Sequence, residues 1–439
     1  MSLRAVLGEG ADVVDDERFR LLMLANITAP MGPALVAPLL DSLTGVYGVS
    51  GATVGLMVSA YSAPAIVLIP LAGVVADRYG RKPVLVAGLV LFGLGGVAIA
   101  FTTDFRAVLA CRLLQGVGGS GIVPIVITSL GDVYAGPREA AAQGFRFTVS
   151  GLSQTVFPAV AGFLVVLSWR YPLALYGLAV PIAAVVWRYL PEPRDARTPA
   201  EPGAATAAEP GAATAAEPGA ATAAEPGADD ARETDAGGGV RELGRFAVGP
   251  RALPLLLAYG LPGFLYFGFL TYVSIVVGRV VGGTPGEAGL IVAVASLAYA
   301  ASASQTGRVA AAFDREAVPL VGANLTMAAG YVAVAFAPSV AVVGVGAALL
   351  GAGFGIGQSL YRSLVTALAP ESLRGGFVSL AESMLRIGIT VAPPVLGAGV
   401  ALLAPSVGPV GAIRWTLLVA GVVAAGLAVG LVLAAPTSR

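Results

Sequence analysis

The stretch Gly73-Val-Val-Ala-Asp77-Arg78-Tyr79-Gly80-Arg81-Lys82-Pro83 lies between two long apolar runs of the chain. Four of its residues are charged, and they fall close together between Asp77 and Lys82. Gly80 permits a tight turn because it has no Cβ atom, and Pro83 suits the first turn of a new helix. The stretch therefore predicts a short, basic loop that joins two membrane-crossing helices.

The pattern G-x-x-x-D-R-x-G-R-K in this loop resembles the signature loop of the major facilitator superfamily, which joins the second and third helices of these transporters. The resemblance implies that Asp77 and Arg81 belong to a charge network that closes the cytoplasmic side. It also implies that a carboxylate at the inner end of helix 4, here Asp132, joins the network. The expected gating residues are Gly73, Asp77, Arg78, Gly80, Arg81, Lys82 and Asp132.

The composition requires a lipid environment. The chain has 439 residues, of which 56% are hydrophobic and only 12% are charged, whereas soluble domains carry about 25% charged residues. A spanning helix needs about 20 apolar residues. Twelve segments meet this requirement: 19–41, 51–76, 84–102, 106–131, 140–166, 171–189, 252–278, 286–305, 317–337, 340–367, 376–403 and 412–434. The sequence therefore predicts an all-α membrane protein with twelve transmembrane helices.

The basic residues predict the orientation of these helices. If the N-terminus is cytoplasmic, most of the 26 lysines and arginines fall in inner segments, as the positive-inside rule requires. We therefore expect a multi-pass protein of the cell membrane whose N- and C-termini are both cytoplasmic.

Residues 190–250 interrupt the apolar pattern. The sequence Glu-Pro-Gly-Ala-Ala-Thr-Ala-Ala occurs three times in a row from Glu201. Such a segment cannot bury enough surface to offset the entropy cost of ordering it. We therefore expect a tail at 1–18, a first half at 19–189, a disordered cytoplasmic linker at 190–250 and a second half at 251–435.

The two sides of this linker are similar to each other at a constant offset of 235 residues. Gly116 corresponds to Gly351, and the segment Thr155–Gly162 corresponds to Thr390–Gly397. The offset predicts two six-helix halves in parallel orientation, the arrangement of the major facilitator fold. In such transporters the substrate site lies between the halves, near the membrane centre.

Three ionisable residues are predicted to take part in proton coupling. Arg112 begins the string Arg-Leu-Leu-Gln-Gly, which resembles a second motif of the family and implies proton coupling or substrate contact. A charge at this depth is expensive and usually functional, although an arginine that snorkels outward is an alternative. Glu382 and Arg386 are four residues apart and share one face of a helix. We expect Glu382 to bind the coupling proton; the alternative is a static ion pair between Glu382 and Arg386.

Small and polar residues complete the predicted machinery. Helix 5 partly matches the motif of twelve-helix drug:proton antiporters, at Gly144, Pro158 and Gly162. The residues expected to permit close helix packing are Gly116, Gly118, Gly119, Pro158, Gly162, Pro393 and Gly397. The residues expected to line the substrate cavity are Asn26, Gln115, Gln154, Gln358, Tyr259 and Tyr266. A cavity with so few polar groups favours a lipophilic substrate.

The chain lacks residues that metal-binding proteins, many enzymes and nucleotide-binding proteins need. Histidine is absent, Cys111 is the single cysteine, and the only lysine, Lys82, precedes Pro83. A Walker phosphate loop needs lysine followed by serine or threonine. We therefore expect no enzyme activity, no metal, no cofactor and no nucleic-acid partner.

The sequence thus predicts a secondary active transporter that works by alternating access and exports a small, mainly lipophilic compound in exchange for protons. Its expected partners are the small-molecule substrate, the proton and the lipid bilayer, and it is expected to be a monomer. One alternative is a proton-coupled uptake symporter for a metabolite. An alternative of another class is a non-transporting membrane receptor or scaffold with the same fold.

Overall fold

The computed structural model describes residues 11–196, 236–313, 315 and 317–434. These residues form helices joined by short connections, and no β-strand occurs among them. Eleven of the helices are long and apolar enough to cross a membrane. Large apolar side chains such as Leu167, Leu402 and Leu433 are exposed on the outside of the bundle, as expected for surfaces that face lipid.

Six spans form the first half. Their bounds are Glu17–Tyr47 for span 1, Leu56–Tyr79 for span 2, Arg81–Ala98 for span 3, Phe105–Val133 for span 4, Gly136–Leu167 for span 5 and 170–189 for span 6. The second half begins with Ala252–Val280 as span 7, Pro285–Ala303 as span 8, Ala317–Ala335 as span 9 and Val340–Leu368 as span 10.

The last helix, Arg374–Ala434, contains two spans. It has 61 residues, about three times the length that crosses a bilayer. Gly408 interrupts it with a φ of 74° and a ψ of 167°, a backbone conformation that residues other than glycine rarely adopt. A Cβ atom at Gly399 would lie 2.7 Å from Thr416, so the chain folds back on itself at the interruption. Span 11 is therefore 374–407 and span 12 is 409–434, which gives the twelve expected spans.

Span 1 is irregular, whereas the sequence predicted one continuous helix. Three prolines interrupt it, at Pro30, Pro33 and Pro38, and proline cannot donate a backbone hydrogen bond. The N–H group of Val36 bonds to the carbonyl oxygen of Pro33 rather than to that of Gly32. The carbonyl of Gly32 is therefore available to side chains from other spans.

The two halves repeat each other in their helix packing. Gly116 brings span 4 against the backbone of span 2, and Gly351 brings span 10 against the backbone of span 8. Between the halves, span 5 packs on span 8 at Gly162, and span 11 packs at Gly397 on the short helix Gly51–Val54 that leads into span 2. The offset of 235 residues thus corresponds to equivalent close contacts in two parallel six-helix halves.

Contacts between the halves gather at one end of the bundle. We call the end that carries residues 77–82 the loop end and the other the opposite end. Near the opposite end, Arg279 Nε donates a hydrogen bond to Asp41 Oδ1 at 2.5 Å. Nearby, Ser59 Oγ donates to the carbonyl oxygen of Thr390 at 2.7 Å. The two halves are therefore joined between the membrane centre and the opposite end.

The described parts of the segment between the halves are more ordered than predicted. Residues Ala236–Ala247 form a helix, which we call the connecting helix. Phe246 of this helix packs on Phe377 of span 11, with ring centroids 5.0 Å apart. The prediction of disorder to residue 250 was therefore wrong for the connecting helix, because it has apolar side chains that span 11 can bury. The eight-residue repeats lie outside the described residues.

Candidate gate and central cavity

The predicted charge network forms at the loop end. Arg81 Nη1 lies 2.8 Å from Asp77 Oδ1, and Arg81 Nε lies 3.0 Å from Asp132 Oδ2. The side chains of Arg81 and Asp132 are only 8% and 7% exposed, whereas that of Asp77 is 62% exposed. The network joins spans 2, 3 and 4, and Asp132 is the buried partner of Arg81. All three spans belong to the first half, so these contacts do not link the two halves, and the role of the network in closing the cytoplasmic side stays a prediction.

Glu192 belongs to this network, although it lay in the segment predicted to be a disordered linker. Its Oε1 accepts a hydrogen bond from the backbone N–H of Arg81 at 2.7 Å, and its Oε2 accepts one from Lys82 at 3.1 Å. These N–H groups begin span 3 and have no partner within their own helix. A carboxylate is favoured at a helix N-terminus, and Glu192 reaches this one from the segment just after span 6.

The remaining gate residues make weaker contacts. The guanidinium of Arg78 lies 5.7 Å from the ring of Tyr79, and the ammonium of Lys82 lies 5.2 Å from the ring of Trp187. A Cβ atom at Gly73 would meet no atom within 4 Å. The gating role of Gly73 stays a prediction, because no close contact in this conformation requires glycine there.

We expect Asp132→Asn to destabilise the protein more than Asp77→Asn. Removing the buried charge leaves the buried guanidinium of Arg81 poorly compensated, at a cost of about 3–5 kcal/mol. An exposed pair such as that of Asp77 contributes about 0–1 kcal/mol. Thermal unfolding of the purified variants measures the difference. Asp12→Asn, which breaks an exposed pair with Arg138, is the control, and equal losses at Asp132 and Asp77 would contradict the prediction.

Arg112 is fully buried and its guanidinium is bound mainly by backbone carbonyl groups. It donates to the carbonyl oxygens of Met57 at 3.0 Å and Gly32 at 3.3 Å, and to Gln115 Oε1 at 2.6 Å. Tyr176 also donates to the Gly32 oxygen, at 2.8 Å. Arg112 therefore joins spans 1, 2 and 4 through the interrupted part of span 1. It does not snorkel outward, and the ring of Tyr61 covers it at 4.7 Å.

Glu382 forms an ion pair with a residue that the sequence analysis did not select. Its Oε1 accepts hydrogen bonds from Arg362 Nη2 at 2.6 Å and from the hydroxyl of Tyr259 at 2.7 Å. The ion pair between Glu382 and Arg386, which was the alternative to a proton-binding role, does not form in this conformation. Residues four apart on a helix differ by about 40° in direction, and here Glu382 points into the second half while Arg386 points between the halves.

A cavity of about 130 Å³ lies between the halves near the membrane centre. Its lining on span 2 runs from Val58 to Ile69, and on span 4 from Gly116 to Pro124. Both runs extend from the zone of contact between the halves towards the loop end. Its polar lining residues are Tyr61, Ser62, Ser120, Gln154 and Arg386.

Of the six residues predicted to line the cavity, only Gln154 does so in this conformation. Asn26 donates to Ser150 Oγ at 2.8 Å, and Tyr266 stacks on Phe354 with centroids 4.5 Å apart. Gln358 is buried within the second half. Gln115 and Tyr259 instead contact Arg112 and Glu382. The sequence indicated which polar residues lie near the middle of the membrane, but not which of them lie on a helix face that lines the cavity.

The residues predicted to permit close packing lie at close helix contacts. A Cβ atom at Gly119 would lie 2.8 Å from the hydroxyl of Tyr61, and one at Gly162 would lie 2.6 Å from the carbonyl oxygen of Pro285. Gly116 and Gly118 face backbone atoms of spans 2 and 3. Pro158 lies where span 5 meets span 8. Pro393 and Gly397 of span 11 lie against Gly55 and Ala52, just before span 2.

Two repeated six-helix halves with a cavity between them are the architecture that many secondary transporters use. The sequence model of the Major Facilitator Superfamily matches residues 22–282 and 255–439. The chain belongs to this superfamily, and it is a multi-pass membrane protein.

Curated relatives match parts of the chain. It is 33% identical to the bacillibactin exporter of Bacillus subtilis (strain 168) over 147 residues, which are 32% of this chain and 36% of the relative. It is 28% identical to multidrug resistance protein 2 of the same organism over 166 residues, 38% of this chain and 42% of the relative. It is 26% identical to the quinolone resistance protein NorA of Staphylococcus aureus (strain MRSA252) over 147 residues, 34% of this chain and 38% of that relative. The chain thus spans less than half the length of these relatives.

Solved structures match almost the whole chain at low identity. A bacterial homolog of the human lysosomal transporter Spinster, inward-facing and occupied, has a TM-score of 0.75 at 15% identity, over 95% of this chain and 96% of that one. A D-xylose–proton symporter has a TM-score of 0.67 at 15% identity, over 93% and 96% of the two chains. These likenesses establish the fold.

Proposed function

We propose that this transporter exports small, mainly lipophilic compounds in exchange for protons, by alternating access. The observation that carries the proposal is the cavity of about 130 Å³ between the halves, which is mostly apolar and lies on the loop-end side of the contacts that join them. The relatives named above as exporters or resistance proteins support export as the direction of transport.

The orientation predicted from the basic residues assigns the loop end to the cytoplasm. The cavity then faces the cytoplasm, and the conformation is the inward-facing one, ready to take a compound from inside the cell. An intact cavity also favours transport over a scaffold, since a scaffold needs no such space.

We assign the coupling proton to Glu382. Its carboxylate forms an ion pair with Arg362 at 2.6 Å, so a movement that separates the two side chains would leave the carboxylate without its counter-charge. Spans 10 and 11 carry these residues, and span 11 also contacts the first half at span 2. A movement of the halves can therefore alter the ion pair. Glu382 would then bind the proton with different affinity in the two conformations, which is what coupling needs.

Inverted membrane vesicles that contain the protein test the proposed function. With a proton gradient, acid inside, we expect the vesicles to accumulate compounds from a panel of lipophilic dyes, and a protonophore should stop the accumulation. Vesicles without the protein are the control. Accumulation in right-side-out vesicles alone would indicate an uptake symporter, and binding without any flux would indicate a scaffold.

A further inference from the structure

Arg386 of span 11 is a cation in the cavity, and no carboxylate among the described residues forms an ion pair with it. It lines the cavity and is half-buried, and its Nε atom is buried without a hydrogen-bond partner among the described residues. The carboxylate one helical turn away, Glu382, is bound instead to Arg362 and Tyr259. An unpaired charge within a membrane protein is expensive and usually functional.

The other charges of the bundle do not compensate Arg386. Among the described residues that line the cavity, Arg386 is the only charged one, and none is an aspartate or glutamate. Two carboxylates elsewhere in the spans are already paired: Asp41 with Arg279 and Asp132 with Arg81. The electrostatic environment of the cavity is therefore positive.

The remaining lining suits a flat, apolar group. The rings of Tyr61 and Phe267, together with several prolines, form the wall of the cavity. Its volume of about 130 Å³ is close to that of an engineered apolar cavity, about 150 Å³, that binds benzene. The enclosed space therefore accommodates one aromatic group beside the guanidinium.

We propose that the cavity selects aromatic carboxylates, with the carboxylate on Arg386 and the ring between Tyr61 and Phe267. This inference rests on the proposed function, because it takes the cavity as the transport site, and it narrows the lipophilic substrates to anions. A guanidinium binds a carboxylate through two parallel hydrogen bonds. A lipophilic cation in the same place meets a like charge and is rejected.

Binding to the purified full-length protein, without any gradient, tests the proposal. The probes are benzoate, its methyl ester and benzylammonium, which share one benzene ring and differ in charge. We expect benzoate to bind about tenfold or more tighter than the ester, as for a hydrogen bond to a charged group. We expect the ammonium compound to bind most weakly.

Substitutions then locate the site. Arg386→Gln should remove the preference for benzoate while ester binding stays within about twofold, and Arg386→Lys should retain part of the preference because it keeps the charge. Arg308→Gln, at an exposed arginine of the loop end, is the matched control and should change nothing. Equal binding of acid and ester to the unaltered protein, absence of binding by all three probes, or an unchanged preference in Arg386→Gln would overturn the inference. Export of neutral dyes by vesicles would stand independently of these outcomes.

Discussion

Glu382→Gln is expected to abolish proton-driven transport while leaving substrate binding intact. Glutamine keeps the size of the side chain and an oxygen that can accept from Arg362 and Tyr259, but it cannot take up a proton. Accumulation in inverted vesicles should fall to the level of protein-free vesicles, and the affinity of the purified protein for a transported compound should change by less than about threefold. A variant that still concentrates substrate against a gradient would place the proton elsewhere.

The ion pair with Arg362 complicates this test, because Glu382→Gln also leaves a guanidinium, whose side chain is only 15% exposed, without its counter-charge. Such a loss costs about 3–5 kcal/mol when a buried pair is broken. The double variant Glu382→Gln, Arg362→Gln removes both charges and should recover most of the thermal stability. If Glu382 only holds the helices together, the double variant also recovers transport. If Glu382 carries the proton, the double variant folds and binds substrate but does not couple.

Gly162→Ala combined with Gly289→Ala is expected to reduce transport by more than about tenfold. A Cβ atom at Gly162 would lie 2.6 Å from the carbonyl oxygen of Pro285, and one at Gly289 would meet the carbonyl oxygen of Pro158. These neighbours are backbone atoms and cannot turn away, so spans 5 and 8 must separate at the opposite end. A shift of about 1–3 kcal/mol between conformations is enough to change their populations 5- to 150-fold.

A cysteine placed at Ala52, in a background where Cys111 is replaced by serine, reports this separation. Ala52 packs against Gly397 of span 11, so a membrane-impermeant thiol reagent added from the opposite end should react faster in the double variant. Gly144→Ala on the same span 5 is the control, because a Cβ atom there meets nothing within 4 Å. Unchanged labelling together with normal transport would show that this contact does not hold the bundle closed.

Features that depend on hydropathy and chain periodicity could be predicted from the sequence. The twelve spans, the two repeated halves and the turn between spans 2 and 3 all follow from the spacing of apolar, glycine and charged residues. The predicted loop at residues 73–83 was too long, because span 2 continues to Tyr79 and span 3 begins at Arg81, so that only Gly80 lies between them. The interruption of span 1 was a partial exception. Its three prolines could be read from the sequence. The hydrogen bonds that the Gly32 carbonyl accepts could not, because their donor, Arg112, lies on span 4.

Features that depend on three helices meeting could not be predicted. Glu382 has two possible arginine partners, and the choice of Arg362 over Arg386 is decided by the packing of spans 7, 10 and 11. Glu192 was assigned to the linker because local composition says nothing of the helix N-terminus that it contacts. The hydropathy of a residue fixes its depth in the membrane, whereas the direction of its side chain requires the neighbouring helices.

The positive, carboxylate-free lining of the cavity, as far as the described residues form it, has an energetic consequence for a cell whose interior is electrically negative. Moving one charge across a membrane potential of 100 mV is worth about 2.3 kcal/mol, which equals a concentration ratio of about fortyfold. An exported monovalent anion moves with this voltage, whereas an exported cation moves against it. By favouring an anion, Arg386 would let the resting voltage of the membrane contribute to export alongside the pH difference.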